Sequence, residues 1–131
     1  RVAGALARWS AAVERNAKGV ISNAVSRTVD SALQGWCGEQ MPISRSWVDE
    51  EIAQLQGVDR DIAKLAIVLA KAPYQVDAGM AQGVLGDDRD EERFIRILAW
   101  ASFTGARRFV QIVAAKSAAA PSEGECYSLA A

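Results

Sequence analysis

The stretch RDEERFIRILAWASFTGARRFVQIVAAK, residues 89–116, decides the fold class of this chain. Its apolar residues recur at steps of three and four, the spacing that places side chains on one face of an α-helix. Ile95, Ala99, Trp100 and Phe103 widen the apolar sector beyond a single stripe. We therefore predict a long helix that is buried on more than one side, either in the centre of the domain or at a subunit interface. The stripe itself consists of Phe94, Ile97, Leu98, Ala101, Gly105, Phe109, Ile112 and Val113.

The remainder of the chain carries shorter helical patterns separated by glycines and prolines. Alanine is the most common residue, and β-branched residues are scattered rather than alternating, which favours helix over strand. Pro73 ends one pattern, because the residue before a proline disfavours the helical conformation. Asp87 and Asp88 are predicted to open the last helix. The helical segments predicted before it are 3–18, 20–33, 47–56, 59–72 and 76–85.

These patterns together predict an all-α fold, a compact bundle of about five helices with a long buried C-terminal helix. A chain of 131 residues has the usual length of one domain and can bury a core of its own. We assign residues 1–115 to a single helical domain. Residues 116–131 are small and polar, so we expect them to form a loosely packed or disordered tail.

An irregular connection, QGWCGEQMPISRS at residues 34–46, interrupts the helical patterns. It is longer than a minimal turn, and long connections often carry function. Trp36 and Trp47 bracket it and are candidates to roof a ligand pocket. The alternative is that they anchor the core or an interface, as most tryptophans do.

The catalytic candidates near this connection are Cys37, Glu39 and Glu50. A buried carboxylate has a raised pKa and can act as a general base. Glu50 also falls in the first turn of the predicted helix 47–56, where acids suit the helix dipole without any catalytic role. For Cys37, a lone-thiol redox sensor is a further hypothesis.

The two cysteines, Cys37 and Cys126, are 89 positions apart, and the chain contains no histidine. Short metal-ligand spacings are therefore missing from the sequence, and we predict neither a metal site nor a cofactor. Two free thiols in a reducing cytoplasm are the favoured interpretation, and a disulfide between them stays open.

The charge balance argues against nucleic-acid and membrane partners. The net charge is −1 and the isoelectric point is about 5.5, so the chain lacks the basic field that nucleic-acid binding requires. The longest uncharged apolar run, LAIVLA at residues 65–70, is too short to span a bilayer. No signal peptide pattern is visible, and we expect a cytoplasmic protein.

The arginines of the last helix have two interpretations. Arg107 and Arg108 could bind an anionic ligand, and Arg107 is a ligand-binding candidate. The alternative is a solvated face with surface ion pairs, which is favoured because adjacent residues on a helix point in different directions. The broad apolar sector predicts a subunit interface formed by Phe94, Trp100, Phe103 and Phe109.

The order of features from Asp49 onward resembles the latter half of the AhpD-like and carboxymuconolactone decarboxylase-like superfamily. The resemblance covers roughly residues 49–114. It rests on VDEEIAQLQ, DRDIAKLAIVLAKAPYQVD, an acidic turn, and ERFIRILAWASFTGARRFV. It implies an all-α bundle that assembles as a homo-oligomer through apolar helix faces.

The chain departs from that family where its chemistry is expected. Peroxidase-type members depend on a Cys-x-x-Cys pair with a nearby histidine, upstream of the acid-rich helix. The corresponding region here reads DSALQGWCGEQMP and holds Cys37 alone. A dithiol reaction needs an attacking and a resolving thiol, so no catalytic residue can be carried over.

Two functions remain open from the sequence. The first is a divergent AhpD-like protein without the dithiol chemistry, which works by homo-oligomerisation or by binding a partner. The second is a small enzyme or small-molecule binder with its pocket near Trp36, Cys37, Glu39 and Trp47. Assembly or binding is favoured over catalysis.

Overall fold

The computed structural model describes residues 1–118, and this part of the chain is helical without any β-strand. The all-α prediction is therefore confirmed. Two short 3-10 turns, Arg45–Val48 and Pro73–Gln75, connect the longer elements. The α-helices are α1 (Val2–Ala17), α2 (Asn23–Gln34), α3 (Gly57–Lys71), α4 (Ala78–Leu85) and α5 (Glu91–Ala118).

Helix α3 is the centre of the bundle, and α2, α4 and α5 pack around it. Its buried residues occupy most of its circumference, as expected of a helix enclosed by neighbours. Pro73 follows its last turn and stops it, as the sequence predicts. The buried residues of α3 are Ile62, Ala63, Leu65, Ala66, Ile67, Val68 and Lys71.

Helix α5 is the long C-terminal helix predicted from the sequence, and it packs against α1 and α3. Helix α5 approaches α3 closely at Gly105, where a Cβ atom would lie 3.1 Å from the Cβ of Ala70. The buried side is rotated from the predicted stripe, since Phe109 and Val113 are 58% and 46% exposed. Its buried residues are Ile97, Trp100, Ala101, Thr104, Gly105, Arg108, Ile112 and Ala115.

Helix α1 is buried only in its C-terminal half. Val13 and Ala17 are its buried residues, whereas residues 1–9 are all exposed. Its main neighbour is α5. The N-terminal half of α1 therefore extends along α5 with apolar side chains that the described structure does not cover.

The predicted helix 47–56 is wrong. Residues 49–54 form a series of turns after the 3-10 turn Arg45–Val48, and most of their backbone hydrogen bonds join residues three apart. Val48, Ile52 and Leu55 are buried, as they would be in an α-helix. The spacing of apolar residues therefore could not distinguish an α-helix from the series of turns. Gly57, with φ of +61°, opens α3 instead of ending a preceding helix.

The last helix begins later than predicted, at Glu91 rather than at Asp87 or Asp88. Asp90 Oδ1 accepts a hydrogen bond from the backbone N–H of Arg93 and so satisfies a free donor of the first turn. The helix continues to Ala118, and most of the predicted tail 116–131 lies outside the described residues. Within residues 1–118, no helix is both long enough and apolar enough to cross a bilayer.

Candidate functional site

An apolar groove of about 540 Å³ runs between α1 and α5. Leu6 and Trp9 form its α1 side and are 52% and 59% exposed. The indole of Trp9 meets the ring of Phe103 edge-on, with 5.4 Å between the ring centroids. The groove is lined by Leu6, Trp9, Val13, Ala99, Ser102, Phe103, Ala106, Arg107, Val110 and Gln111.

A second, smaller groove of about 270 Å³ lies on the other side of the same α5 surface, against α3. Ser102, Ala106 and Val110 line both grooves and form the ridge between them. Phe109 borders the second groove and is mostly exposed. We call the whole surface the α1–α5 face, defined by Leu6, Trp9, Phe103, Ala106, Phe109 and Val110.

The predicted interface residues divide between this face and the core. Phe103 and Phe109 lie on the α1–α5 face, whereas Trp100 is buried and Phe94 is half-buried against the core cluster. The size of Trp100 made it a plausible interface anchor in the sequence. Trp100 is instead 7% exposed and belongs to the core cluster inside the bundle.

Arg107 lies at the rim of the α1–α5 face. Its Nη1 is 3.0 Å from Glu14 Oε1 of α1, and its guanidinium lies 5.5 Å from the ring centroid of Phe103. Partial burial raises the pKa of Asp30, and the positive charge of Arg107 partly offsets that rise. Arg107 therefore forms an ion pair between α5 and α1.

Arg108 has the opposite environment and is 3% exposed. Its Nη2 donates to the carbonyl oxygens of Trp36 at 2.7 Å and Gln34 at 3.2 Å. These contacts hold the end of α2 and the start of the 34–46 connection against α5. The sequence analysis did not predict this role for Arg108. Arg108 lies four residues from both Thr104 and Ile112, and this helical spacing places all three on the buried side of α5.

The catalytic candidate Glu39 organises its own loop. Its carboxylate accepts a hydrogen bond from the backbone N–H of Cys37 at 2.8 Å, and its carbonyl oxygen accepts one from Trp36 Nε1 at 2.9 Å. Glu39 and Glu50 are both exposed. Neither carboxylate has the burial that the general-base interpretation requires.

Cys37 is disulfide-bonded, and no cysteine within residues 1–118 is a free thiol. The interpretation as two free thiols is therefore wrong for Cys37, because the sequence spacing carries no information on which residues meet in space. The chain's other cysteine, Cys126, lies outside the described residues. A disulfide sulfur is not a thiolate, so Cys37 in this state cannot act as a lone-thiol sensor.

A polar cavity of about 220 Å³ lies between α2, the turns at residues 49–54 and the end of α3. At its centre, Lys71 Nζ is 2.8 Å from Glu51 Oε1, and the Lys71 side chain is only 5% exposed. Across the cavity, Gln54 Nε2 donates to Thr28 Oγ1 at 3.2 Å. The lining residues are Thr28, Ser31, Ala32, Gly35, Glu51, Gln54 and Lys71.

Glu51 uses only one of its carboxylate oxygens within this cluster. Oε1 accepts from Lys71, whereas Oε2 is buried and accepts no hydrogen bond from the described residues. Leaving a buried acceptor unpaired costs roughly 1–3 kcal/mol. Trp47 lies behind the pair, with its ring centroid 5.8 Å from Lys71 Nζ. Trp47 thus supports the cavity through Lys71, whereas Trp36 is not among the lining residues.

A further charged surface surrounds the start of α4. Arg45 Nη1 lies 2.6 Å from Asp77 Oδ2, and Asp77 Oδ1 accepts from the backbone N–H of Met80. The backbone hydrogen bond from Met80, followed by the bond from Arg45, lowers the pKa of Asp77. The pair therefore acts as a helix cap that ties the 3-10 turn Arg45–Val48 to α4.

The described residues contain no group of three or more histidine, cysteine, aspartate or glutamate side chains placed to hold a metal ion. In the Glu51–Lys71 ion pair, the Lys71 side chain is 5% exposed and the Glu51 side chain is 30% exposed.

Comparison with known proteins gives one informative similarity. No family model matches the chain, and no solved structure matches it. An alkyl hydroperoxide reductase of Mycobacterium tuberculosis is 35% identical over 85 residues. The match takes in 63% of this chain and 24% of that protein, so the chain spans about a quarter of its relative's length. Over this segment, the chain is a distant relative of the AhpD-like proteins.

Proposed function

We propose that this chain is a divergent AhpD-like helical protein that works by self-association, with a second copy covering the α1–α5 face. The main evidence for this proposal is that the face exposes large apolar side chains from two helices around a groove of about 540 Å³. Contiguous exposed apolar surface of this kind marks an interaction site in soluble proteins.

The shape of the face supports a second copy as the occupant. The ridge formed by Ser102, Ala106 and Val110 lies beside the groove that Leu6 and Trp9 border, so the same surface carries both a ridge and a depression. In a two-fold arrangement, each surface meets an identical one, and the ridge of one copy can enter the groove of the other. The small side chains of Ser102 and Ala106 let two α5 helices approach closely.

The charges around the face support the same proposal. Arg107 and Glu14 already pair with each other at the rim. Among the described residues that line the groove between α1 and α5, Arg107 is the only charged one. Association therefore removes few unpaired charges from water. An apolar centre with a paired polar rim is the usual composition of a homo-oligomer interface.

The test compares two matched variants of α5 by sedimentation velocity. Val110 and Ile95 are 63% and 64% exposed on the same helix, but only Val110 lines the α1–α5 face. We expect Val110→Glu to shift the protein toward the monomer, because association would bury an unpaired carboxylate. Ile95→Glu should retain the wild-type assembly.

Equal effects of the two substitutions would contradict the proposal, since they would show that the face has no special part in association. Circular dichroism of both variants serves as the folding control. Because both positions are exposed in the single chain, neither substitution should alter the helical signal.

A further inference from the structure

The disulfide at Cys37 belongs neither to the core cluster nor to the α1–α5 face. The chain contains one other cysteine, Cys126. We propose that these two cysteines form a redox-sensitive tether, which fixes Cys126 to the 34–46 connection when oxidised and releases it when a small dithiol reduces the bond. The tether goes beyond the proposed function, because Cys37 does not line the groove between α1 and α5.

The turn that carries Cys37 is held in place by the described bundle. The carbonyl oxygen of Trp36 accepts a hydrogen bond from Arg108 Nη2 at 2.7 Å. On the other side, Glu39 Oε2 accepts from the backbone N–H of Cys37 at 2.8 Å, and the Glu39 carbonyl oxygen accepts from Trp36 Nε1 at 2.9 Å. The backbone on both sides of Cys37 is therefore fixed without any contribution from the disulfide.

This turn lies beside the C-terminal end of α5. A Cβ atom built on Gly38 would lie 3.8 Å from both Ile112 Cγ2 and Lys116 Nζ. Helix α5 ends at Ala118, about 9 Å along its axis from Ile112. The eight residues from Ala118 to Cys126 span at most roughly 26–29 Å. The chain is therefore long enough for Cys126 to return to the turn.

Reduction of the bond should leave the helical bundle intact. Cys37 is only half-buried, and residues 38–40 are exposed. The core cluster is built from apolar side chains of all five α-helices and of the turns at residues 48–55, and Cys37 is not among them. Loss of the bond thus removes no core contact, so its main effect concerns the link to Cys126.

Reduction by a dithiol proceeds through two thiol–disulfide exchanges. A thiolate of the dithiol attacks one sulfur of the protein disulfide, forms a mixed disulfide with it and expels the other cysteine as a thiolate. The second thiol of the reductant then attacks the mixed disulfide and closes a cyclic disulfide. The dithiol loses two electrons and two protons, and Cys37 and Cys126 gain them as two thiols. Oxidised glutathione reverses the reaction and leaves as two molecules of glutathione.

Peptide mapping tests the pairing. A protease specific for glutamate cleaves after Glu14, Glu39 and Glu125, so it produces the peptides 15–39 and 126–131. We expect mass spectrometry of the oxidised protein, digested after denaturation with its thiols alkylated, to find these two peptides linked. After treatment with dithiothreitol, they should appear separately.

Native reduction tests the switch. The folded full chain is treated with dithiothreitol at 25 °C, its thiols are counted by alkylation, and its helical content is followed by circular dichroism. We expect two thiols per chain and an unchanged helical signal. The melting temperature should fall by roughly 10 °C, because the unfolded chain loses a cross-link between residues 89 positions apart. Cleavage after Glu123 should become roughly tenfold faster, because the tether no longer closes the segment into a loop.

Two variants isolate the contribution of the disulfide. Cys126→Ser should match the reduced wild type in melting temperature and should not respond to dithiothreitol. Ser128→Ala is the matched control, because it changes the same segment without removing a sulfur. This control should keep the full difference between the oxidised and reduced proteins.

The linked peptides together with native reduction that leaves the bundle folded support the proposal. Oxidised protein without the linked peptides, or a covalent dimer of two chains, would overturn the pairing. Thiols that appear only in denaturant, loss of the helical signal on reduction, or a response of Cys126→Ser to dithiothreitol would overturn the switch. Each readout concerns a single chain, so these results are independent of self-association through the α1–α5 face.

Discussion

Arg107 and Arg108 are adjacent in the sequence but have opposite environments on α5. Arg107 pairs with Glu14 at an exposed rim, whereas Arg108 is buried and donates to the carbonyl oxygens of Trp36 and Gln34. The 100° turn between successive helical residues produces this difference. As a result, Arg107 lies at the rim of the proposed association face, whereas Arg108 holds the 34–46 connection.

Replacing Arg108 should destabilise the fold far more than replacing Arg107. Arg108→Met removes the donors to two carbonyl groups, and we expect a loss of about 2–4 kcal/mol in the free energy of unfolding. Arg107→Met removes an exposed ion pair, which contributes about 0–1 kcal/mol. Urea denaturation at one fixed protein concentration compares the two. Equal losses would show that Arg108 does not hold the connection.

The close contact between α3 and α5 predicts an unusual cost for a small substitution. A Cβ at Gly105 would lie 3.3 Å from the Cα of Ala70, so Gly105→Ala requires Ala70 and its backbone to shift by a few tenths of an ångström. We expect a loss of about 1–3 kcal/mol, the typical cost of overpacking a core. Thermal unfolding measures the effect.

Gly4→Ala is the control for that experiment, because Gly4 also lies inside a helix and its added Cβ would meet only the end of Arg8 at 3.5 Å. In an exposed helix, this change should stabilise by about 0.5–1 kcal/mol. Stabilisation by Gly105→Ala as well would contradict the close α3–α5 contact.

The cap at Asp77 predicts a pH-dependent contribution to stability. Its pKa is lowered below the ordinary value of 3.8, mainly by the Met80 N–H and then by Arg45. The folded state therefore favours the carboxylate. The stabilisation is present above pH 3.8 and is lost as the pH falls through the lower pKa of the folded protein.

We accordingly expect Asp77→Ala to lower the melting temperature by about 3 °C at neutral pH. The difference from wild type should shrink when the pH is lowered well below 3.8. Asp87→Ala, at an exposed aspartate outside the helix cap, should show neither effect. A difference for Asp77→Ala that stays constant with pH would argue against a role for the ionised carboxylate.

The Glu51–Lys71 pair should behave as a coupled unit. Lys71→Met alone leaves the partly buried Glu51 carboxylate without its cation, and we expect a loss of about 3 kcal/mol. Adding Glu51→Leu should restore most of this loss, because an apolar pair of similar volume needs no desolvated charge. A double-mutant cycle from urea denaturation measures the coupling. Additive losses would indicate that the two side chains do not interact.

The long helices of the fold were predictable from the periodicity of the apolar residues, whereas several local features were not. The three- and four-residue spacing in residues 89–116 correctly predicted α5. The same spacing led to the wrong prediction of a helix at residues 47–56. In the structure, Val48, Ile52 and Leu55 are buried but lie in successive turns. Burial of these side chains is compatible with both conformations, so the pattern could not decide between them.

The polar cavity was missed for a similar reason. Lys71 in the last turn of α3 and the acids at residues 49–51 both fit ordinary helix-end electrostatics. Their meeting depends on how the turns at residues 49–54 return to the end of α3, which is a tertiary property. Of the residues predicted to surround a pocket, Trp47 lies beside Lys71, with its ring centroid 5.8 Å from Lys71 Nζ.

Sedimentation equilibrium of the unmodified chain tests the central claim, self-association through the α1–α5 face, most directly. The measurement should span roughly 1–100 μM, which covers association free energies of about 5.5–8 kcal/mol. We predict a mass that rises with concentration from 14.0 kDa to a whole multiple of that value. A constant mass of 14.0 kDa over the whole range would contradict the account.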